Sequence, residues 1–317
     1  MAIPLTIPNT MRQATKDFLE SRHWPRRPQV LNFEITAACD ARCIHCPRLE
    51  MHRPKRVMPF PLFRKIVNES AQAGVPFLCP NGYGEICTLP VDTLSEYFDY
   101  ISSRTHPFKL IVNTNGHRLD LEKAHLFIKH RVHTVNVTID GATAKTAESI
   151  RVNLKFEQVE ANVRQLINIR NAMGLTYPKI RVGMIAMPQT IAEKDLFFER
   201  WSGVADYVGM GGFSSRLASV TYSETGEKPG HMKASQCVLP FRDLNIWADG
   251  KAVLCCEDWN ESHIVGDFTF QSLNEIWTGD ALTEARRKHM QKRGGDLAIC
   301  AMCNNWQAPG PGTRLWV

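Results

Sequence analysis

Apolar residues recur along the first two-thirds of this 317-residue chain in two rhythms. Val30–Ala37 alternates, with Leu31, Phe33 and Ile35 on one side, which is the period-two pattern of a strand. Short β-branched runs return at Val75–Cys79, Lys109–Asn113, Thr134–Ile139, Lys179–Met187 and Asp206–Gly211. Between them, Phe63–Ala73, Val91–Ser103, Leu121–Lys129, Phe156–Met173 and Ala192–Trp201 place apolar residues at i, i+3 and i+4, the spacing of a helix with one buried face. Repeated β–α alternation predicts an α/β protein, a parallel sheet covered by helices. Six such units suit a partial (β/α)6 barrel of the TIM type; a doubly wound open sheet is the alternative. Either places ligands at the C-terminal ends of the strands. The unusual sequence lies there: Cys39–Cys46 after the first strand, Asn81-Gly82-Tyr83-Gly84-Glu85 after the second, Asn113-Thr114-Asn115-Gly116 after the third and Asp140-Gly141 after the fourth.

Beyond residue 213 the pattern changes. Ser214–Ser235 is rich in Ser, Gly and Lys and reads as a linker or loop. Leu244–Ala248, Asp249-Gly250 and Lys251–Leu254 carry a hairpin signal, and short helices are predicted at Ser272–Trp277 and Ala281–Gln291. The division is an N-terminal extension over 1–29, a core over 30–213, a linker over 214–236 and a C-terminal domain over 237–317. The last of these has little apolar mass by sequence and five cysteines, so a metal staple would explain how it stays folded. Trp247, Trp259, Trp277 and Trp306 are expected to pack it.

Composition narrows the function classes. A net charge of +6 with dispersed basic residues is no nucleic-acid footprint. No apolar run approaches a membrane span, and Met1–Asn9 lacks the charged and apolar regions of a signal peptide; a cytoplasmic protein is expected. Ten cysteines in a reducing compartment point to metal or catalysis and away from disulfides. Cys39, Cys43 and Cys46 form C-x3-C-x2-C, a pattern that chance would supply roughly 0.01 times in such a chain. Three thiolates are one short of the usual four that hold a [4Fe–4S] cube, leaving one iron open. Cys79 in a strand run and Cys87 read as small core residues.

These motifs resemble the radical S-adenosylmethionine (radical SAM) superfamily. C-x3-C-x2-C matches its signature, and Gly82-Tyr83-Gly84-Glu85 is similar to its Gly-Gly-Glu-Pro, with Ile86 in place of proline. Thr138-Ile139-Asp140-Gly141 is similar to the family's Ser-x-Asp-Gly, and Arg151 lies where some members carry an arginine near the SAM carboxylate. The resemblance covers roughly Val30 to Phe213. It implies cluster ligation by Cys39, Cys43 and Cys46, and cofactor contacts from His45, Gly82, Gly84, Glu85, Asn115, Thr138, Asp140 and Arg151. It also implies generation of a 5′-deoxyadenosyl radical that takes hydrogen from an unactivated carbon, with the protein supplying orientation and exclusion of water.

Cys237, twelve residues, Gly250, four residues, Cys255 is similar to the opening of the SPASM appendage. Cys300 and Cys303 follow, but the further cysteines of a full SPASM domain do not. The pattern resembles the shortened "twitch" form, which implies one auxiliary [4Fe–4S] cluster held by Cys237, Cys255, Cys300 and Cys303. A structural zinc, in a scaffold without catalytic activity, is the plainer reading of four cysteines.

Cys256 directly follows a cluster ligand, and its S–H bond is weak enough to return a hydrogen atom to a carbon radical. Glu257 and Asp258 come next, as candidate bases. The expectation is a polar small-molecule substrate of the amino sugar or aminocyclitol kind, with flavodoxin or ferredoxin as electron donor and epimerisation as the outcome. Dehydrogenation of a secondary alcohol, with the auxiliary cluster accepting an electron, is the alternative. Modification of a ribosomal peptide comes after these, because the N-terminal thirty or so residues are shorter than a usual recognition domain.

Overall fold

A computed structural model describes residues 25–106, 108–211, 237–301 and 303. The 214–236 linker, Trp306 and nearly all of the N-terminal extension lie outside the described residues. Six parallel strands form the core: β1 (Val30–Phe33), β3 (Phe77–Cys79), β4 (Lys109–Thr114), β5 (Thr134–Thr138), β7 (Lys179–Ile185) and β8 (Tyr207–Gly211). They lie side by side in chain order, every pair parallel. A doubly wound sheet reverses its order at a switch point; this one does not, and it has the sequential order of a partial barrel. Helices α1 (Phe60–Ala73), α2 (Val91–Ser102), α3 (Leu121–Lys129) and α5 (Phe156–Ala172) alternate with the strands as their apolar spacing predicts. A short α4 (Ala144–Ile150) escaped the periodicity. The predicted helix over 192–201 divides into α6 (Pro188–Ala192) and α7 (Lys194–Trp201). Two-residue strands β2 (Arg42–Cys43) and β6 (Arg151–Val152) pair above the sheet.

The two faces of the sheet differ. Leu31, Phe33, Leu78, Leu110, Val112, Val135 and Val137 pack into the main core beneath the helices. On the opposite face, Val30, Phe77, Cys79 and Ile111 make a small apolar floor. Above that floor the register sets Asn32 beside Cys79 and Asn245, and Asn113 beside Asn136. Amides there bond to one another, Asn32 to Asn245 at 3.0 Å and Asn136 to Asn113 at 2.7 Å. The concave face is polar because strand side chains alternate between the two faces.

The C-terminal region corrects the sequence reading. The expected hairpin is present as β9 (Asp243–Ile246) and β10 (Lys251–Val253), with an unexpected β11 (Ile264–Asp267). This region continues the main sheet, because β9 pairs in parallel with β1 and the sheet runs to nine strands. Its apolar mass is also larger than expected. Trp277, Phe268, Leu273 and Ile276 join the same core as Phe33 and Phe63. Trp247 and Trp277 are fully buried and donate through their indole N–H to the carbonyls of Asp258 and Pro25. Fully burying side chains of this size stabilises a fold by about 1.5–3 kcal/mol each, so packing contributes substantially to holding this region. No helix among the described residues is long and apolar enough to cross a membrane.

Candidate active site

The loop after β1 carries the three-cysteine motif, and its backbone is pinned at several points. Cys43 pairs with Arg151 across β2 and β6, and Ile44 N–H donates to the Ile150 carbonyl. Arg48 spans the loop, donating to the carbonyls of Ala37 and Cys39 at 3.2 and 3.1 Å. Cys39 and Cys46 pack against Ala41, Cys43 and Leu154. Burial pushes the Cys39 thiol up to about 12 and Cys43 to about 11. Alone, these thiols stay protonated; a bound metal would deprotonate them.

The loop after β3 explains its glycines. A Cβ on Gly84 would stand 1.9 Å from the Thr36 carbonyl oxygen, and one on Gly82 would strike the Glu34 side chain. Both glycines lie where the backbone passes too close for any side chain. Glu34 is fully buried and accepts from Tyr83 N–H at 2.8 Å and from Arg53, whose guanidinium grips both carboxylate oxygens. Glu85 is buried, and its oxygens accept from Cys87 N–H, Thr114 Oγ1 and Asn115 N–H, the last at 2.6 Å. Its carboxylate ties the β3 loop to the β4 loop.

Asp140 adopts φ +59° and is buried. It accepts from Ile185 N–H at 2.6 Å and from Arg151 Nε at 2.7 Å, and lies 3.7 Å from His45 Nε2. Burial opposes the charge on Arg151, but Asp140 and Cys43 more than offset it and hold the guanidinium above its usual range. Its Nη1 is 3.9 Å from Cys43 Sγ. Burial lowers His45 to about 4, leaving a neutral ring whose Nδ1 is buried without a protein partner.

One cavity of about 390 Å³ gathers these parts. Its lining includes Cys39, Cys43, Cys46, His45, Gly82, Gly84, Glu85, Asn115, Thr138 and Arg151, which sequence reading assigned to the cofactors. Asp140 stands behind Arg151 and His45. Cys256 lines the cavity from the C-terminal region, and Cys79 lines its floor; the strand cysteine therefore faces the site and is no mere packing residue. Asp258 takes another role. Its carboxylate accepts from Ser262 N–H, Ser262 Oγ and His263 N–H, so it anchors a turn and is not among the cavity-lining residues. Glu257 also lies outside the lining, although its charge is felt at Cys46 and Tyr83. Sequence reading missed Tyr83, Arg53, Arg242, Asp243 and the asparagines of the concave face. Tyr83 Oη donates to the Cys256 carbonyl at 2.8 Å, and its ring meets Trp247 and Trp259 edge-on. Only the odd residue within the Gly-x-Gly-Glu motif hinted at it.

In the C-terminal region, Cys237, Cys255 and Cys300 are buried, and Cys303 is half-buried. Cys237, Cys255, Cys256 and Leu239 pack together. Cys300 Sγ stands 3.6 Å from His289 Nε2, and Cys303 N–H donates to the Cys300 carbonyl. Arg242, three residues after Leu239, has a buried Nη1 without a protein partner. Buried thiols beside an unsatisfied cationic donor suit a sulfur-rich anionic group.

The SPASM family, an iron–sulfur cluster-binding domain, matches residues 237–304. The mycofactocin maturase MftC of Mycolicibacterium smegmatis is 28% identical over 171 residues, which is 54% of this chain and 41% of that protein. The S-adenosyl-L-methionine-dependent 2-deoxy-scyllo-inosamine dehydrogenase of Niallia circulans is 28% identical over 69 residues, 22% of this chain and 28% of its own. The chain thus spans about two-fifths or less of these two relatives. Its fold is that of BtrN in complex with AdoMet and 2-DOIA, with a TM-score of 0.63 at 16% identity over 90% of this chain and 97% of that one. The AdoMet-bound anSMEcpe also superposes, with a TM-score of 0.63 at 11% identity over 82% and 84%. Together these likenesses support a protein of the radical SAM class. More narrowly, residues 237–304 match its SPASM iron–sulfur cluster-binding appendage.

Proposed function

We propose that this protein removes a hydrogen atom from a carbon of a polar small molecule, of the amino sugar or aminocyclitol kind, and inverts configuration there, with Cys256 returning the hydrogen. A single cavity supports this reading. The three-cysteine loop, the cationic Arg151 and the Cys256 thiol line it together. The cofactors are S-adenosylmethionine and two [4Fe–4S] clusters, which when bound supply a 5′-deoxyadenosyl radical at one end and a one-electron store at the other. Cys39, Cys43 and Cys46 hold the first cluster, and Cys237, Cys255, Cys300 and Cys303 the second.

The chain's own residues do the rest. Arg151, fixed by Asp140, offers a cation to a carboxylate. Thr138, Asn115 and the uncharged His45 offer hydrogen bonds, and the Gly82 and Gly84 backbone lets a ligand approach closely. Glu85 positions the loops around them. Cys256 keeps its proton because of its hydrogen bond to Cys255 and its burial. Its S–H gives a hydrogen atom to the substrate carbon, and the sulfur regains one proton from solvent and one electron from a flavodoxin or ferredoxin.

Dehydrogenation of a secondary alcohol is the second reading, supported by the similarity to the inosamine dehydrogenase; the similarity to a peptide maturase supports a third, modification of a ribosomal peptide. Turnover in deuterated water separates the first two. Epimerisation places one solvent deuterium in a product of unchanged composition, and Cys256→Ala stops product while 5′-deoxyadenosine still forms. A product two hydrogens lighter, made equally well by Cys256→Ala, would overturn epimerisation.

A further inference from the structure

Arg242 closes the short helix α8 (Leu239–Arg242) that follows Cys237, and Asp243 opens β9. The two form a bidentate ion pair, Nη2 to Oδ2 at 2.6 Å with Nε on Oδ1. Both side chains are nearly buried, 12% and 6% exposed, and both residues line the cavity. A guanidinium is always charged and has five N–H donors. Asp243 occupies two of the three nitrogens, while Nη1 is buried with no protein partner. Leaving a charged donor unsatisfied in the interior is costly. Cys256 and Cys237 both lie within Coulombic reach of this guanidinium. Cys237 packs with Cys255 directly beside it in the chain's fold.

We infer that Arg242 donates its free Nη1–H to the auxiliary iron–sulfur cluster or its Cys237 thiolate, and that the Arg242–Asp243 pair joins that cluster to the substrate cavity. This rests on the auxiliary cluster proposed above. Hydrogen bonds and net charge around a cluster's sulfurs set its reduction potential. A fixed cation favours the reduced, more negative state, so Arg242 raises the potential. Asp243 orients the guanidinium and turns the remaining lone pairs of its carboxylate to the cavity, where they suit a hydroxyl or ammonium donor of a substrate. Arg242 is thus a positioning residue that acts on the electron store, and its partner is a hydrogen-bond acceptor for an alcohol or amino alcohol.

The test is a redox titration of the full chain, followed by electron paramagnetic resonance. Cys39, Cys43 and Cys46 are all changed to alanine so that the signal belongs to the auxiliary site alone. Iron analysis comes first. About four irons per chain confirm one remaining cube; none would remove the auxiliary cluster and this inference with it. Given the cube, Arg242→Met is expected to lower the reduction equilibrium at least tenfold, about 59 mV for a one-electron couple. Arg242→Lys, which keeps the charge, is expected to fall between Met and the parent; it serves as the variant if Met fails to retain iron. Asp243→Asn removes a negative charge and is expected to shift the midpoint the opposite way. A merely structural disturbance would move both variants in one direction. Shifts of the same sign for Arg242→Met and Asp243→Asn, or an Arg242→Met midpoint equal to the parent's, overturn the inference; where Arg242→Met retains no iron, shifts of the same sign for Arg242→Lys and Asp243→Asn overturn it.

Discussion

The two cysteine sites are built in opposite ways. The first gathers three thiols within eight residues, Cys39 to Cys46. One loop supplies them all, and Arg48 and the β2–β6 pair hold that loop. The second, as proposed, would draw on Cys237, Cys255, Cys300 and Cys303, spread over sixty-seven positions. Cys237 and Cys255 pack together, whereas Cys300, on the short α11 (Ala298–Ala301), stands with His289 of helix α10 (Asp280–Met290). A local site depends on a loop's backbone, whereas a dispersed site depends on packing. The two respond differently to substitution.

The sharpest break comes at the local site. Cys43→Ala is expected to abolish 5′-deoxyadenosine formation and to lower iron from about eight to about four per chain, leaving the urea-unfolding free energy of the metal-free chain within about 1 kcal/mol of the parent's. A large fall in metal-free stability would show that the loop is not local. Glu34→Ala tests what joins the two regions, because it strands Arg53 beside Trp247 and frees Tyr83 N–H. Breaking a buried pair costs about 3–5 kcal/mol, read as an earlier urea transition. Gly84→Ala forces the backbone away from Thr36 and is expected to cost about 3 kcal/mol together with S-adenosylmethionine binding, measured by calorimetry.

Acid titration sharpens the comparison, since each region buries a neutral histidine. His45 and His289 are both lowered by burial from 6.5 to about 4. The unfolded chain takes up protons first as pH falls, so the stability each confers is full above about pH 6.5 and is lost toward pH 4. At pH 5 the loss is about 2 kcal/mol per histidine. His289→Phe is expected to remove one such contribution and flatten the acid limb of metal-free unfolding; an unchanged limb rejects the burial account. The smallest effect belongs to Tyr83→Phe, which deletes the bond to the Cys256 carbonyl for about 1 kcal/mol, seen as faster amide exchange around Cys256.

Legibility in the sequence followed the same division. The six strands and the three-cysteine loop were plain, because alternation and short spacing are local signals. The span of the iron–sulfur domain was also readable, from the spacing of the C-terminal cysteines. Their setting was not: β9 pairs with β1 across more than two hundred positions, and no local pattern encodes that pairing. For the same reason the sequence does not show that Trp277, expected to pack the C-terminal domain, joins the main core. Asp258 drew attention by adjacency to Cys256, but its carboxylate is spent on a turn. The adjacent charges that do reach the cavity, Arg242 and Asp243, sit beside no motif.

The parallel pairing of β9 with β1 has a further consequence for aggregation. Without the C-terminal strands, β1 would be the sheet's bare edge, with its hydrogen-bonding groups open to any other chain. The region that carries the SPASM match is therefore also a cover that keeps the barrel from joining its neighbours edge to edge. A protein cut before residue 237 is expected to come out of cells as insoluble material, and no supply of iron should rescue it.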